Sequence, residues 1–376
     1  MRVAVVTEQL LAPVPGGIGR YTRELSAALA RCAGRADAVS TWTAWHRDPT
    51  AAAVPGVAGP RRLPLPRRAL AAVWEHGVGP APRGADLVHA PSLLVPPARR
   101  GCARVVTVHD AVPWTHPETL TPRGARWHRA MAERVVRGDA TIAVVTEVVA
   151  LELREVLPGL AADRIRVLGA GVSEEFRAGP SPGQVAEVRS RLVLPERFIL
   201  TLATLEPRKG LDVLIAALAR LGAGAPPLLV AGQPGWGSVD LDATARAAGL
   251  PSGAVRGLGR IEDRELSVVL RAAELLVAPS LAEGFGLPVA EAMAVGTCVL
   301  CSDAPALVEV AGDAAVIVAR GDAAALAEAI EATLADGALR DRLSAVGLLR
   351  SKRYTWDSVA QRAWDLYREL GGVDGR

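Results

Sequence analysis

Short β-like apolar runs alternate with helical stripes from one end of the chain to the other. In the first half, "RVAVVT" at 2–7 precedes a stripe carrying Tyr21, Leu25, Ala28 and Leu29. "RVVTV" at 104–108 then precedes "HD", "ATIAVVT" leads into "EVVALELREVL", and "RIRVLGAGV" closes the half. The second half repeats the grammar with "RFILTLA", "PLLVAG", "AVRGLG", "ELLVAPS", "TCVLCS" and "AAVIVA". After the first of these, Leu211, Leu214, Ile215 and Leu218 give the i, i+3, i+4, i+7 face of an amphipathic helix. Such alternation predicts an α/β chain of parallel sheets covered by helices. Two doubly wound, Rossmann-like domains facing across a cleft are expected.

The length of 376 residues supports two cores, at about 150 residues per domain. The Pro/Gly/Ser stretch "RAGPSPGQ" at 177–184 reads as a linker. The expected division is therefore a first domain at 1–178, a linker at 179–190 and a second domain at 191–354. The tail places Trp356, Val359, Ala360 and Ala363 on one helical face, predicting a packed helix over 355–376 that completes the first domain.

Composition narrows the function classes. Half the residues are apolar and both charge signs are mixed throughout, as in a globular protein. A net charge of +3 gives no support to nucleic-acid binding. Lys209 and Lys352 are the only lysines, so arginine clusters such as "RRLPLPRR" at 61–68 follow from composition. The N-terminus lacks the apolar centre of a signal peptide, and no apolar run approaches the roughly 18 residues of a span. A cytoplasmic location is expected, with contact at the inner membrane face as an addition. Cys298 and Cys301 form a C-x-x-C in an apolar β-like run; without a second pair for zinc they read as structural thiols, and no metal site is expected.

In open α/β sheets, ligands meet loops at the carboxyl ends of strands. Four such loops stand out: "PGGIGRY", "HD", "LEPRKG" and "EGFGLPVAE". In the last, Gly286 and Pro288 exclude a helix interior, so Glu283 falls in a loop and Glu291 near the first turn of a helix opened by Pro288. Both carboxylates can then face one site; the alternative is that Glu291 complements its helix dipole and Glu283 is merely exposed. Arg208 and Lys209, just ahead of a helix with free amides, suit a polyanion. Gly16 and Gly17 offer amides to an anion or form a plain turn, and Thr22 stands where a dinucleotide fingerprint has its third glycine. His109 and Asp110 end a strand. Arg123, Arg126, Arg129, Arg134 and Arg137 share a helix that suits an anionic acceptor, a membrane surface or solvent.

Together these motifs resemble the large retaining glycosyltransferase family 4, of GT-B architecture. "GGIGRYTREL", "TVHD", "TLEPRKGLD" and "LLVAPSLAEGFGLPVAEAMAVGTCVL" carry the resemblance across essentially the whole chain. It implies that Glu291 holds the ribose hydroxyls of a nucleotide. Glu283, with Phe285, Gly286 and Leu287, would contact the donor sugar. Arg208 and Lys209 would neutralise the departing diphosphate, with Gly16 and Gly17 approaching it. His109 would lie beside the sugar, Asp110 would count among the substrate-binding positions, and Arg260 and Ile261 would pass the base. The chain departs from the family at Ala203 and Thr204, where a Gly-Arg pair is common, and at Cys298, where proline is usual.

The implied reaction moves a hexose from a nucleoside diphosphate sugar, GDP-mannose first, to a hydroxyl of a saccharide or lipid-linked glycan, with retention and without metal or other cofactor. Trp114 and Trp127 would stack on the acceptor or simply pack. A sugar-nucleotide epimerase and a non-catalytic nucleotide-sugar binding protein are the alternatives.

Overall fold

The strands β1 (Arg2–Val6), β2 (Ala38–Trp45), β3 (Ala58–Pro66), β4 (Leu87–Ala90), β5 (Ala103–Val108), β6 (Thr141–Val144) and β7 (Ile165–Val167) form one sheet, ordered β3-β2-β1-β4-β5-β6-β7. The strands β8 (Ile199–Leu202), β9 (Leu228–Ala231), β10 (Val255–Gly259), β11 (Leu275–Ala278), β12 (Val299–Ser302) and β13 (Ala315–Val318) form a second, ordered β10-β9-β8-β11-β12-β13. Neighbours pair in parallel throughout. The computed structural model describes residues 1–237 and 239–373. Residues 374–376 of the expected closing helix lie outside the described residues.

The central strands are short and apolar because helices cover both faces of a parallel sheet. β4, β6 and β9 are buried at every position. β3 differs: it is an edge strand, largely exposed, with Pro60, Pro64 and Pro66 along it. Proline is tolerated there because an edge can leave its N–H side unpaired. "RRLPLPRR", read above as composition alone, is therefore mostly this strand and the start of the helix Arg67–Glu75.

The chain divides into two compact units. One comprises Met1–Pro117, Pro122–Gly171 and the chain from Thr355; the other comprises Glu118–Thr121 and Val172–Tyr354. The expected boundaries need correction. The chain leaves the first unit after Gly171, not at 178, and residues 118–121 group with the second. Nor is 179–190 a linker, since Pro182–Arg191 is a helix of the second unit. Ser181 Oγ accepts from Gln184 N at 3.3 Å, Gln184 Oε1 accepts from Ser181 N at 2.8 Å, and Pro182 opens the helix. This capping box makes the same Pro and Ser letters a helix start.

The first core gathers Leu70, Trp74, Met131, Ile142 and Leu153, and Trp114 and Trp127 pack against it, both half-buried. In the helix Pro122–Arg137, Arg129 donates to Pro113 O and Arg134 to Trp74 O. The five-arginine surface is thereby reduced, because two of its members satisfy backbone carbonyls. Arg123, Arg126 and Arg137 remain exposed.

The helix Trp356–Val373 closes this unit. Trp356, Val359, Ala360 and Ala363 are all buried; Trp364 Nε1 donates to Leu29 O at 3.0 Å and Arg362 Nε to Leu168 O at 2.8 Å. Tyr367 Oη meets Nδ1 of the buried His89, whose Nε2 lies 2.8 Å from Thr107 Oγ1. Burial drives the His89 pKa down to about 3, so the ring is neutral.

The second core gathers Leu211, Leu214, Ile215 and Leu218 with Ile199, Val230, Val277 and Leu300. The thiols of Cys298 and Cys301 are free and buried, which raises their pKa values to about 11 and about 12. No helix among the described residues is long and apolar enough to cross a membrane.

Ser181→Ala is expected to lower the unfolding free energy of the second unit by about 1 kcal/mol in urea titration, the usual loss for an N-cap. An unchanged midpoint would contradict the capped helix.

Candidate active site

In each sheet the strand order reverses beside the first strand of that unit, at β1/β4 and at β8/β11. These are the points where the loops leaving neighbouring strands part and open a crevice. In the second unit the loop after β8 carries Arg208 and Lys209, and the loop after β11 carries Glu283. Glycine lets the backbones meet. A Cβ on Gly210, whose φ is +62°, would stand 2.3 Å from Pro279 O; on the other side of the β8 loop, one on Gly232, which follows β9, would stand 1.8 Å from Ala203 O.

The opposed loops join through charge. Lys209 Nζ donates to Glu283 Oε1 at 2.5 Å, Arg208 Nη1 to Glu283 Oε2 at 3.0 Å, and Ser280 Oγ to Glu283 Oε1 at 2.8 Å. The three charged side chains are only 11–15% exposed. Glu206 stands 3.7 Å from Arg208. A cavity of about 10 Å³ borders the cluster, lined by Thr201, Lys209, Ser280, Glu283, Gly286 and Leu307 among others.

Burial alone would raise the Glu283 pKa, but the Lys209 and Arg208 charges and the hydrogen bonds from Lys209 and Ser280 outweigh it and hold the value at about 2. Lys209 is lowered, by burial first and by the Arg208 charge, against the pull of Glu283. Glu283 is thus an ionised counterion, not an acid.

The carboxylate loop is pinned carbonyl by carbonyl. Ser302 Oγ donates to Ser280 O at 2.5 Å, Arg320 Nη1 to Leu281 O at 3.2 Å, and Arg208 Nη1 to Ala282 O at 2.6 Å. Leu281 N returns a bond to Arg208 O at 2.9 Å. Arg320 is itself held by Asp303 Oδ1 at 2.9 Å. Beyond the loop, Phe285 is buried edge-on to Tyr354, with ring centroids 5.4 Å apart. Gly286, at φ +88°, caps the helix Leu287–Val295, and a Cβ there would stand 2.3 Å from Leu307 Cδ2. Pro288 takes the second helical position rather than the expected first, and Glu291, fifth in the helix, is 1% exposed.

One expectation for the cationic loop changes. The amides of Lys209 and Gly210 are not free: the 3₁₀ turn Pro207–Lys209 closes them on Glu206 O and Pro207 O at 3.0 and 3.2 Å. Side-chain charge, rather than those two amides, is what the loop offers an anion. Arg260 and Ile261 follow β10, two strands from β8.

In the first unit, Gly16 and Gly17 are exposed and open the helix Gly16–Arg31, whose N-cap Pro15 provides no side-chain cap. A helix start of this kind leaves amides for an anion. His109 follows β5 and stands edge-on to Tyr21, centroids 4.8 Å apart. Its Nε2 lies 2.8 Å from Pro91 O, a pure acceptor, so Nε2 carries the hydrogen. Burial lowers the His109 pKa, against the Pro91 bond and the Asp110 charge, leaving Nδ1 a neutral acceptor at pH 7. Asp110 Oδ1 accepts from Val112 N at 3.1 Å and stabilises the next turn.

Residues 15–176 match Glycosyltransferase Family 4, and residues 186–348 match Glycosyl transferases group 1. The first match spans Gly16 and His109; the second spans Lys209, Glu283 and the β8/β11 crevice. The chain belongs to glycosyltransferase family 4.

This family 4 chain is 29% identical over 288 residues to the O-antigen chain mannosyltransferase B of Escherichia coli, covering 76% of this chain and 74% of that one. It is 29% identical over 273 residues to a serotype-specific mannosyltransferase WbdA of Escherichia coli, covering 71% of this chain but 33% of that one. The chain thus spans about a third of that longer relative. Among solved structures, Anabaena HepE in complex with UDP and glucose superposes with a TM-score of 0.75 at 17% identity, covering 98% of this chain and 100% of that one. The fold is GT-B, two Rossmann-like parallel-sheet domains.

Of the residues expected to act together, the structure joins Arg208, Lys209 and Glu283 by direct bonds. Sequence reasoning missed Ser280, Ser302 and Arg320, which fix that cluster. Ser280 sits within the motif, but nothing in the local sequence marks Ser302 or Arg320.

Because the Glu283 pKa lies below its ordinary 4.5, its ionised form stabilises the fold above that pH, and the contribution fades as pH falls toward 2. Glu283→Gln is expected to lower the melting temperature at pH 7, to flatten the acid limb below about pH 4.5, and to give a larger melting-temperature rise with inorganic pyrophosphate than the native chain, since two cations lose their counterion. Scanning calorimetry from pH 2 to 8 tests this; an equal or smaller pyrophosphate shift contradicts it.

Proposed function

We propose that this family 4 glycosyltransferase moves a hexose from a nucleoside diphosphate sugar to a hydroxyl of a saccharide or lipid-linked glycan, with retention at the anomeric carbon. The observation that carries the reading is the buried Arg208–Glu283–Lys209 cluster in the second unit's β8/β11 crevice. Arg208 and Lys209 bind the leaving diphosphate, and their charge allows this without a metal. Glu283, ionised near neutral pH, accepts hydrogen bonds from donor-sugar hydroxyls once the diphosphate engages its cations.

Phe285, Gly286 and Leu287 contribute backbone groups to the sugar, Glu291 holds the ribose, and Arg260 and Ile261 pass the base. Gly16 and Gly17 present amides to the diphosphate. His109, neutral and tethered through Nε2, offers Nδ1 to a sugar hydroxyl, with Asp110 steadying the turn. No side chain in this scheme abstracts the acceptor proton; the leaving diphosphate takes it on the same face as attack. The protein's contribution is orientation and leaving-group stabilisation.

GDP-mannose is the first donor to test, because the E. coli relatives are named as mannosyltransferases. UDP-glucose is the second, from the UDP-glucose named in a further HepE complex. A saccharide acceptor fits the O-antigen chain of the first relative.

The test incubates the chain with GDP-mannose, UDP-glucose or a dTDP-hexose, oligosaccharide acceptors and excess chelator, reading nucleoside diphosphate release and the product's anomeric configuration by NMR. Transfer with retention in chelator is expected. Lys209→Ala should lower kcat/KM by at least about 100-fold, the scale of one lost transition-state donor, with near-native circular dichroism. Near-native turnover in Lys209→Ala contradicts the diphosphate assignment, and strict metal dependence or an inverted product contradicts the mechanism. An epimerised sugar nucleotide would replace the reading altogether.

A further inference from the structure

Tyr21 lies on the buried stripe of the helix Gly16–Arg31, and the scheme above gives it no part. The other large members of that stripe, Leu25 and Leu29, are aliphatic, and Tyr21 is the one aromatic residue of its helix. It is 2% exposed, and its ring stands edge-on to His109, with centroids 4.8 Å apart and planes at 87°. The same ring meets Trp356, the first residue of the closing helix, with centroids 5.4 Å apart and planes at 74°. Trp356 is buried and fitted closely to backbone, since a Cβ on Gly171 would stand 2.5 Å from its N. The two helices are tied together further along by the Trp364 bond to Leu29 O and by Arg31 Nη2, 2.7 Å from Asp357 Oδ1.

These contacts matter because of what the hydrogen bond of His109 leaves free. Nε2 is held by Pro91 O, whereas Asp110, the next residue, spends Oδ1 on Val112 N. A bond at one ring atom still lets an imidazole rock about its Cβ–Cγ axis, a torsion with broad wells, and Nδ1 swings with it. A perpendicular ring at 4.8 Å is an edge-to-face partner and opposes that rocking. The Tyr21 hydroxyl is no acid or base near neutral pH, because burial lifts its pKa to about 12 against the pull of Thr107 and Arg362. What Tyr21 offers His109 is its ring.

We propose that Tyr21 is a positioning residue for His109, its ring fixing the imidazole plane so that Nδ1 keeps a single direction, with Trp356 holding Tyr21 in place. The closing helix thereby acts on a site residue that it does not touch. Only the kinetic consequence of this brace rests on the reading of His109 as the partner of a sugar hydroxyl.

The test has an arm without substrates and an arm with them. In the full chain carrying nitrogen-labelled histidine and no donor, the ring signals of His109 are followed by NMR and assigned by their loss in His109→Gln. Tyr21→Leu should displace those signals. It should also raise the His109 titration midpoint toward the ordinary 6.5, since the imidazole gains water while the Asp110 charge and the neutral His89 are unchanged. Tyr21→Phe keeps the ring and should leave both near native.

With donor and acceptor, Tyr21→Leu should lower kcat/KM about tenfold or more, and Tyr21→Phe should restore most of the loss. Affinity for GDP and UDP alone should stay within about twofold, because the diphosphate is held by other residues. Native-like His109 signals in Tyr21→Leu, or a Tyr21→Phe chain as disturbed as Tyr21→Leu, overturns the proposal. So does a fall in GDP and UDP affinity that matches the fall in kcat/KM, which would trace the effect to Gly16 and Gly17. Should circular dichroism show Tyr21→Leu unfolded, Trp356→Phe, with its smaller ring against Tyr21, takes its place, and unmoved His109 signals there overturn the proposal. If the native chain transfers nothing, the NMR arm still decides the brace. If the NMR arm supports the brace while Tyr21→Leu turns over normally, the sugar-hydroxyl role of His109 falls and the brace stands.

Discussion

Charge withdrawn from water at the β8/β11 crevice sets the terms for the second unit. Three ionised side chains that are almost entirely covered lose much of their hydration, and the fold tolerates this only if they sit within hydrogen-bond distance of one another. Their separations depend on two loops whose backbones touch, which accounts for glycine at 210. They depend also on the loop of Glu283 being fixed at each successive carbonyl, by Ser302, Arg320 and Arg208. A loop free to shift by an ångström would leave a buried charge unmatched. The rigidity of that segment follows from the desolvation of the charges it carries.

Much of this unit was legible. The alternation of apolar runs with helical stripes predicts its strands, and "LEPRKG" and "EGFGLP" mark the ends of the two strands that flank the crevice. The partnership was not legible. The local motif drew attention to Glu283 together with Glu291, whereas the bonds observed join Glu283 to Lys209 across 74 positions. Such a contact belongs to strand order, which no local pattern encodes. "PSPGQ" misled for a different reason: Ser, Pro and Gln at those offsets satisfy both a turn-rich linker and a capping box, and the hydrogen bonds of Ser181 and Gln184 decide between them.

In the first unit the sequence was harder to read. The four-residue "LVHA" of β4 is too short for periodicity, and β3 hides behind three prolines that only an edge position permits. Arginine abundance made the helix Pro122–Arg137 look more like a surface feature than it is, since Arg129 and Arg134 spend their donors on backbone carbonyls. Glu8 gave no signal at all; a glutamate after a strand reads as exposed until His46 and Arg67 are seen beside it.

The closing helix has a consequence for the order in which the molecule can assemble. Its partners, Leu29, His89 and Leu168, are made early, but Arg362, Trp364 and Tyr367 come after the whole of the second unit has been synthesised. On the ribosome, the second unit can therefore complete its core while the first still lacks one wall. Until then the polar groups of His89 and Thr107 and the flank of the helix Gly16–Arg31 must stay hydrated or find temporary cover. The half of the chain that is translated first is the half that finishes folding last.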